Sequence, residues 1–207
     1  MDIYIADITP FSDDYVFDKH FNRLPEHAKQ RIERLKNKDD RIRSLGGYLL
    51  LSYGLKLRDA DFSEIKTDSS GKPYIAGLGV HFNLSHSESF AAAVFSAYPT
   101  GIDIETKRKV NLRIAGHFFT EYEKDILKSA IDPDLEFLRI WTRKEAFSKA
   151  TGDGILHTLR NDAIWARPLI VYGTEYKIDT VITDSYILST AHSAKEAMSP
   201  IEPITLI

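Results

Sequence analysis

The 207-residue chain predicts an α+β fold of two pseudo-symmetric halves, each a small antiparallel sheet packed with helices. Three observations carry that expectation. Residues 2 to 9 alternate as a strand, a helical stretch follows, and Phe82 to Ser96 reads as a polar turn entering a buried strand. The same cycle restarts at Gly101, and Tyr186 to Ser193 repeats the buried-strand signature. Strands and helices come in blocks, without strict βαβ alternation.

Between Pro25 and Leu57, the apolar residues Ile32, Leu35, Ile42, Leu45 and Leu49 recur at spacings of three, four and seven, which predicts one or two amphipathic helices. Arg31, Arg34, Lys38 and Arg41 then fall near one another on the wet side. From Arg23 to Arg43, eight Lys or Arg stand against four acids, a patch suited to phosphate or an acidic partner. A charge run by itself is more often a solvated helix face. Gly71-Lys-Pro-Tyr74 is a turn that presents a lysine, and Asn83 to Ser87 presents a hydroxyl and an imidazole just before the buried strand. The Pro and Gly of Ala97 to Gly101 give a short connection, so the expected halves are 1–100 and 101–207, with the ligand cleft between them.

Gly101-Ile-Asp-Ile-Glu105 reads as a strand with Ile102 and Ile104 toward the core. Asp103 and Glu105 then project from the other face, about 7 Å apart along the chain. Two carboxylates that close need a cation, and magnesium prefers one or two carboxylates together with substrate phosphates. Helical segments are expected around 111–130 and 134–150. Trp141 to Lys149 reads as a helix with Trp141, Glu145 and Lys149 a turn apart on one face. Each piece alone also reads as ordinary structure, a solvated strand or a helical Glu–Lys pair. In conjunction, Glu145 can complete a cation site begun by the strand while Lys144 and Lys149 neutralise phosphate oxygens.

Composition limits the classes. With 43% hydrophobic residues, 11 Phe and 10 Tyr, the chain can bury a sizeable core. It has no cysteine, hence no disulfide framework or thiolate metal site, which fits a reducing compartment. A formal charge of −3 speaks against non-specific nucleic-acid binding. The start, Met1-Asp-Ile-Tyr-Ile-Ala-Asp-Ile8, lacks the positive charge of a signal peptide, and no apolar run approaches the ~18 residues of a membrane span. The expectation is a cytoplasmic protein with no membrane partner.

Six segments, Asp40 to Gly47, Gly71 to Pro73, Phe82 to Ser87, Gly101 to Glu105, Phe118 to Tyr122 and Trp141 to Lys149, occur in the order found in the Sfp-type 4′-phosphopantetheinyl transferases, and the chain resembles that family over nearly its whole length. The resemblance implies a monomer with internal pseudo-two-fold symmetry that moves the 4′-phosphopantetheine arm of coenzyme A onto a serine of an apo acyl or peptidyl carrier protein, releasing adenosine 3′,5′-bisphosphate. It implies magnesium, with manganese as the alternative, on Asp103, Glu105 and Glu145. Coenzyme A phosphates would be met by Lys29, Arg31, Arg43, Gly71, Lys72, Pro73, Ser85, His86, Lys144 and Lys149. Lys149 would stabilise the leaving group, and Glu145, or else Glu121, would take the serine proton. Family members carry lysines just after a Pro-Glu pair in the first helix; here Pro25 to Arg31 reads Pro-Glu-His-Ala-Lys-Gln-Arg, which leaves that register open. The carrier's acidic helix is expected near Thr151 to Gly154, with Ile155, Leu156 and Leu159 as its apolar patch. A magnesium-dependent phosphohydrolase, with water as acceptor, and a non-catalytic coenzyme A binding module are the alternatives. The second has little need for three carboxylates together.

Overall fold

The computed structural model describes residues 1–67, 69, 72–154 and 162–206. The chain opens on strand β1 (Asp2–Asp7), followed by helices α1 (Asp14–Phe21), α2 (Glu26–Glu33) and α3 (Lys38–Lys56). Four strands come next: β2 (Ile65–Thr67), β3 (Pro73–Ile75), β4 (Val80–Ser87) and β5 (Phe90–Ser96). The second half runs β6 (Gly101–Thr106), α4 (Ala115–Phe118), α5 (Glu121–Ser129), α6 (Pro133–Thr151), β7 (Leu169–Val171), β8 (Thr174–Ile182) and β9 (Tyr186–Ser193), and a short β10 (Ile201–Pro203) closes it.

Two sheets form, ordered β10-β1-β5-β4-β3-β2 and β6-β9-β8-β7. All their pairings are antiparallel except β1 with β10. The expected division at residue 100 is therefore crossed once: β10 returns to the first sheet, and Ile204 and Leu206 pack on the first core. A second difference concerns Asn83 to Ser87, expected as a turn; it is the end of β4, and the reversal falls at the following residues.

The two long helices have local causes. Asn37 caps α3 by accepting from the Asp39 N–H, and Asp132 caps α6 by accepting from the Leu135 N–H, with Pro133 in its first turn. α6 stops at Gly152, whose left-handed φ of 80° suits a residue without Cβ. Each helix lies on its sheet. At Gly101 the approach is so close that a Cβ would overlap the Ala146 carbonyl of α6. The first core joins α2 and α3 to one face of the first sheet. A further apolar cluster, Ile3, Ile5, Ala92, Val94, Ile102, Ile104 and Leu188, takes residues from both sheets and ties the halves together. Ile102 and Ile104 thus sit where the alternation predicted.

Candidate active site at the seam of the two halves

β4 and β6 belong to different sheets but run side by side. Side chains of β4 replace the missing ladder. Asn83 Oδ1 accepts from the Ile102 N–H at 3.1 Å, Ser85 Oγ from the Ile104 N–H at 3.3 Å and Ser87 Oγ from the Thr106 N–H at 3.1 Å. Alternate residues share one face of a strand, so the three form a comb along β6. Two of its teeth also reach the carboxylates. Ser85 Oγ donates to Asp103 Oδ1 at 2.8 Å, and Ser87 Oγ donates to Glu105 Oε2 at 2.8 Å.

α6 supplies the third carboxylate and a cation. Lys149 Nζ donates to Asp103 Oδ1 at 2.7 Å, to Ser85 Oγ at 3.2 Å and to the Ile102 carbonyl at 3.2 Å. Asp103 is 6% exposed, and its Oδ2 is buried with no hydrogen-bond partner among the described residues. Burial pushes the Asp103 carboxyl up, with Glu105 adding to the shift and Lys149 opposing it. Half-buried Glu145 is pushed up too, by burial and then by the Asp103 charge, against Lys149. Three carboxylates therefore share one electrostatic neighbourhood.

Whether they fit a hard divalent cation can be tested on the donors. All are carboxylate oxygens, and the orphaned Asp103 Oδ2 is a buried acceptor with nothing bonded to it. They do not make a compact cage: among the described residues, no three Asp, Glu or His stand close enough to grip a metal directly. Lys149 holds Asp103, and Arg108 Nη1 holds Glu105 Oε2 at 2.6 Å. Magnesium keeps several waters and bridges to substrate phosphates, so it does not require such a cage. The residues fit.

A cavity of about 620 Å³ opens beside this seam, inside the first half, between α2 and α3 on one side and β3 and β4 on the other. Its walls include His27, Arg31, Tyr48, Phe62, Asn83 and His86. Both size and mix of apolar and polar walls are those of a small-molecule site. This cavity lies in the first half and reaches, through β4, the seam between the halves where the sequence predicts the cleft. His86 stands on its rim. Its imidazole is held below the ordinary range by desolvation and by the cations Arg43 and Lys149.

The expected site residues separate into groups. Asp103, Glu105, Glu145, Lys149 and Ser85 come together at the seam, and Arg31, Pro73 and His86 line the cavity. Arg43 is paired with Asp40 one turn away and lies near enough to His86 to lower its pKa. Lys29 is half-buried on α2. Lys72 donates to the carbonyls of Thr100 at 2.7 Å and Ala150 at 2.9 Å, which makes it a clamp across the seam at the C-terminal end of α6. Lys144 does not reach a phosphate position: it is wholly buried and ion-paired at 2.8 Å with Glu123, also wholly buried. Its neighbour in sequence, Glu145, is rotated about 100° around the helix, so the two cannot serve one side. Glu121 is likewise away from the carboxylates, exposed on the first turn of α5 and paired with Lys124. Of the basic helix residues, Lys38 binds Asp14 and Arg41 caps the carbonyls of Leu35 and Glu33. Gly71, Ile155, Leu156 and Leu159 lie outside the described residues.

Sequence reasoning missed Ser87, Arg108, His27 and Glu123. Ser-x-Ser in Ser85 to Ser87 held the comb's period of two, and Thr120-x-x-Glu123 is a capping box, which forms here with both of its bonds.

Comparison with known proteins bears on what this geometry serves. Residues 99–191, which include β6 and α6 and end within β9, match the 4′-phosphopantetheinyl transferase superfamily. Over that region the chain is similar to that superfamily. The 4′-phosphopantetheinyl transferase Sfp of Bacillus subtilis strain 168 is 35% identical over 147 residues, covering 67% of this chain and 64% of Sfp. The transferase gsp of Aneurinibacillus migulanus is 32% identical over 148 residues, 69% of this chain and 62% of gsp. HetI of Nostoc reaches 40% over 122 residues, 54% of this chain and 48% of HetI. The matched regions of Sfp and gsp thus span just under two thirds of those superfamily members. Among the described residues no helix is long and apolar enough to cross a membrane.

Proposed function

We propose that the protein transfers the 4′-phosphopantetheine arm of coenzyme A to a serine hydroxyl of an apo acyl or peptidyl carrier protein, releasing adenosine 3′,5′-bisphosphate. The observation that carries this reading is the meeting of Asp103, Glu105, Glu145 and Lys149 at the seam, beside β4, whose Asn83 and His86 line the 620 Å³ cavity. The cavity would take the nucleotide end of coenzyme A. Arg31, with Lys29 on the same helix, would meet the 3′-phosphate, and His86, Ser85 and Arg43 would meet the diphosphate. Asp103, Glu105 and Glu145 would hold magnesium, which when bound offsets the charge that builds on the leaving diphosphate.

The chain's own residues then have defined tasks. Phosphoryl transfer asks for alignment and charge neutralisation more than covalent help. Lys149, fixed at 2.7 Å from Asp103, offers its ammonium to the departing oxygen. Glu145, whose carboxyl is pushed up by burial and by the Asp103 charge, is the residue assigned to accept the proton of the attacking hydroxyl. A groove of about 290 Å³ lined by Val110, Ile114, Phe137 and Trp141 ends at Glu105 and carries Arg108 and Lys109 on its edge, which suits an acidic carrier bringing its serine inward. The absence of cysteine supports a reducing, cytoplasmic setting, and the working form is taken as a monomer.

The deciding assay incubates the chain with coenzyme A, magnesium and a panel of apo carriers and weighs each carrier by mass spectrometry. Gain of the phosphopantetheine arm on a serine is expected; no gain on any carrier, with no adenosine bisphosphate released, overturns the reading. Glu145→Gln should collapse turnover while coenzyme A still binds, and near-normal turnover would remove Glu145 as the base.

A further inference from the structure

The comb along β6 uses Ser85 and Ser87 in one repeated way. Each accepts from a β6 N–H and donates to the carboxylate one residue earlier, Ser85 to Asp103 and Ser87 to Glu105. In both cases the serine and a cation share a single carboxylate oxygen. Asp103 Oδ1 takes Ser85 and Lys149, and its Oδ2 is left buried and unpartnered. Glu105 Oε2 takes Ser87 and Arg108. The repetition gives Ser87 at Glu105 the same pair of contacts that Ser85 makes at Asp103.

We infer that Ser87 is a positioning residue for Glu105, holding one carboxylate oxygen so that the other is presented to the cation; the inference rests on the metal-dependent reading above. Three features support it. Ser87 is only 7% exposed, so no water competes for its hydroxyl. It is fixed at its other end as well, where its carbonyl accepts from Thr106 Oγ1 at 3.2 Å. Glu105 also has a competing anchor, because Arg108 is 39% exposed in side chain and grips the same oxygen from the loop that follows β6. Without the Ser87 hydroxyl, the glutamate would follow Arg108 outward. Since Ser87 rides on β4 and Glu105 on β6, the aim of this ligand depends on the register between the two halves.

The test reads manganese binding by the full chain through loss of the free-ion paramagnetic resonance signal, with coenzyme A present and no carrier, so that no turnover takes part. Ser87→Ala should weaken manganese binding about tenfold or more, as loss of a ligand's supporting hydrogen bond commonly does, and Ser87→Thr, which keeps the hydroxyl, should stay near wild type. Thermal unfolding of each variant runs alongside, because Ser87 also satisfies the Thr106 N–H and Ser87→Ala will melt lower in either case. Unchanged manganese affinity in Ser87→Ala overturns the inference, as does equal weakening in the alanine and threonine variants. Glu105→Gln separates the two levels. If it binds manganese as wild type does, the metal reading itself fails, whereas if it loses binding and Ser87→Ala does not, only the role of Ser87 fails.

Discussion

α3 and α6 are both 19 residues long, both are capped by a side-chain oxygen, and both lie on a sheet, yet they use their surfaces in opposite ways. α3 leaves space. Its Ser44, Gly47, Tyr48 and Leu51 wall the 620 Å³ cavity, which none of its charged residues lines. α6 fills space with polar groups: Thr142, Arg143, Lys144 and Ser148 are all buried. Arg143 donates to the Ile178 carbonyl at 3.1 Å and to Thr180 Oγ1 at 3.3 Å, and burial, helped by Arg139 and Arg167, draws its pKa down to about 10. The difference is one of open space against a filled interior, and under the proposed function it would divide binding and chemistry between the halves. A ligand needs volume, which α3 leaves unfilled, whereas carboxylates and a lysine held in register need an anchored helix, and α6 is anchored by buried polar contacts such as Thr142 with Ser189 and Lys144 with Glu123.

The largest effect should come from breaking α6's buried pair. Glu123 accepts from Lys144, from the Trp165 indole at 3.1 Å and from the Thr120 N–H at 3.0 Å. Glu123→Ala removes the carboxylate that faces the buried Lys144 ammonium, a change that costs about 3–5 kcal/mol by thermal or denaturant unfolding. Replacing both together, Glu123→Leu with Lys144→Met, should return most of that stability. Removing Lys38 from its exposed pair with Asp14 at the start of α3 should leave the melting temperature where it was.

Glycine substitutions sharpen the same contrast. Gly101→Ala forces a Cβ into the Ala146 carbonyl of α6 and should cost about 1–3 kcal/mol, since backbone there cannot yield without shifting the helix. In α3, a Cβ at Gly47 meets only Leu84 Cδ1 at 3.9 Å, so Gly47→Ala should gain up to about 1 kcal/mol of helix stability in urea titrations. Because Gly47 lines the cavity, the same variant should bind coenzyme A less tightly by calorimetry.

Asp103→Ala tests the division of labour directly. It should abolish transfer and leave coenzyme A binding within a modest factor, because the cavity of the first half is untouched; loss of binding equal to loss of turnover would place the ligand at the seam instead. The smallest effect concerns His86. Its lowered pKa means that the folded chain binds fewer protons than the unfolded one just below the ordinary imidazole value. Its contribution to stability is therefore present above that value and is lost as pH falls toward the depressed one. Adenosine 3′,5′-bisphosphate in the site should raise the His86 pKa in an NMR titration, and no change would put the phosphates elsewhere.

Much of the site was legible because its chemistry sits on periodic elements. Gly101 to Glu105 alternates plainly, and Trp141, Glu145 and Lys149 share a helix face, so Asp103, Glu105, Glu145 and Lys149 could be named together before any contact was known. Lys144 was misread because it adjoins Glu145 in sequence, although helical rotation turns it inward to Glu123. Glu121 and Glu123 differ by two positions, and only burial decides which of them matters to α6. Asn83 to Ser87 looked like a turn because Asn and Ser are depleted in strands; here their side chains do the work of a neighbouring backbone.

The sequence by itself determined the α+β class, the long helices, the buried strands β5 and β9, and the residue types able to hold a cation and a phosphate. Only the tertiary structure decided that a 620 Å³ cavity opens within the first half, that β10 returns to β1, and that β4 meets β6 through side chains. The reason is physical. Periodicity records which face of an element is buried, but a hydrogen bond such as Ser87 to Glu105, made between strands of two different sheets, leaves no period in either strand.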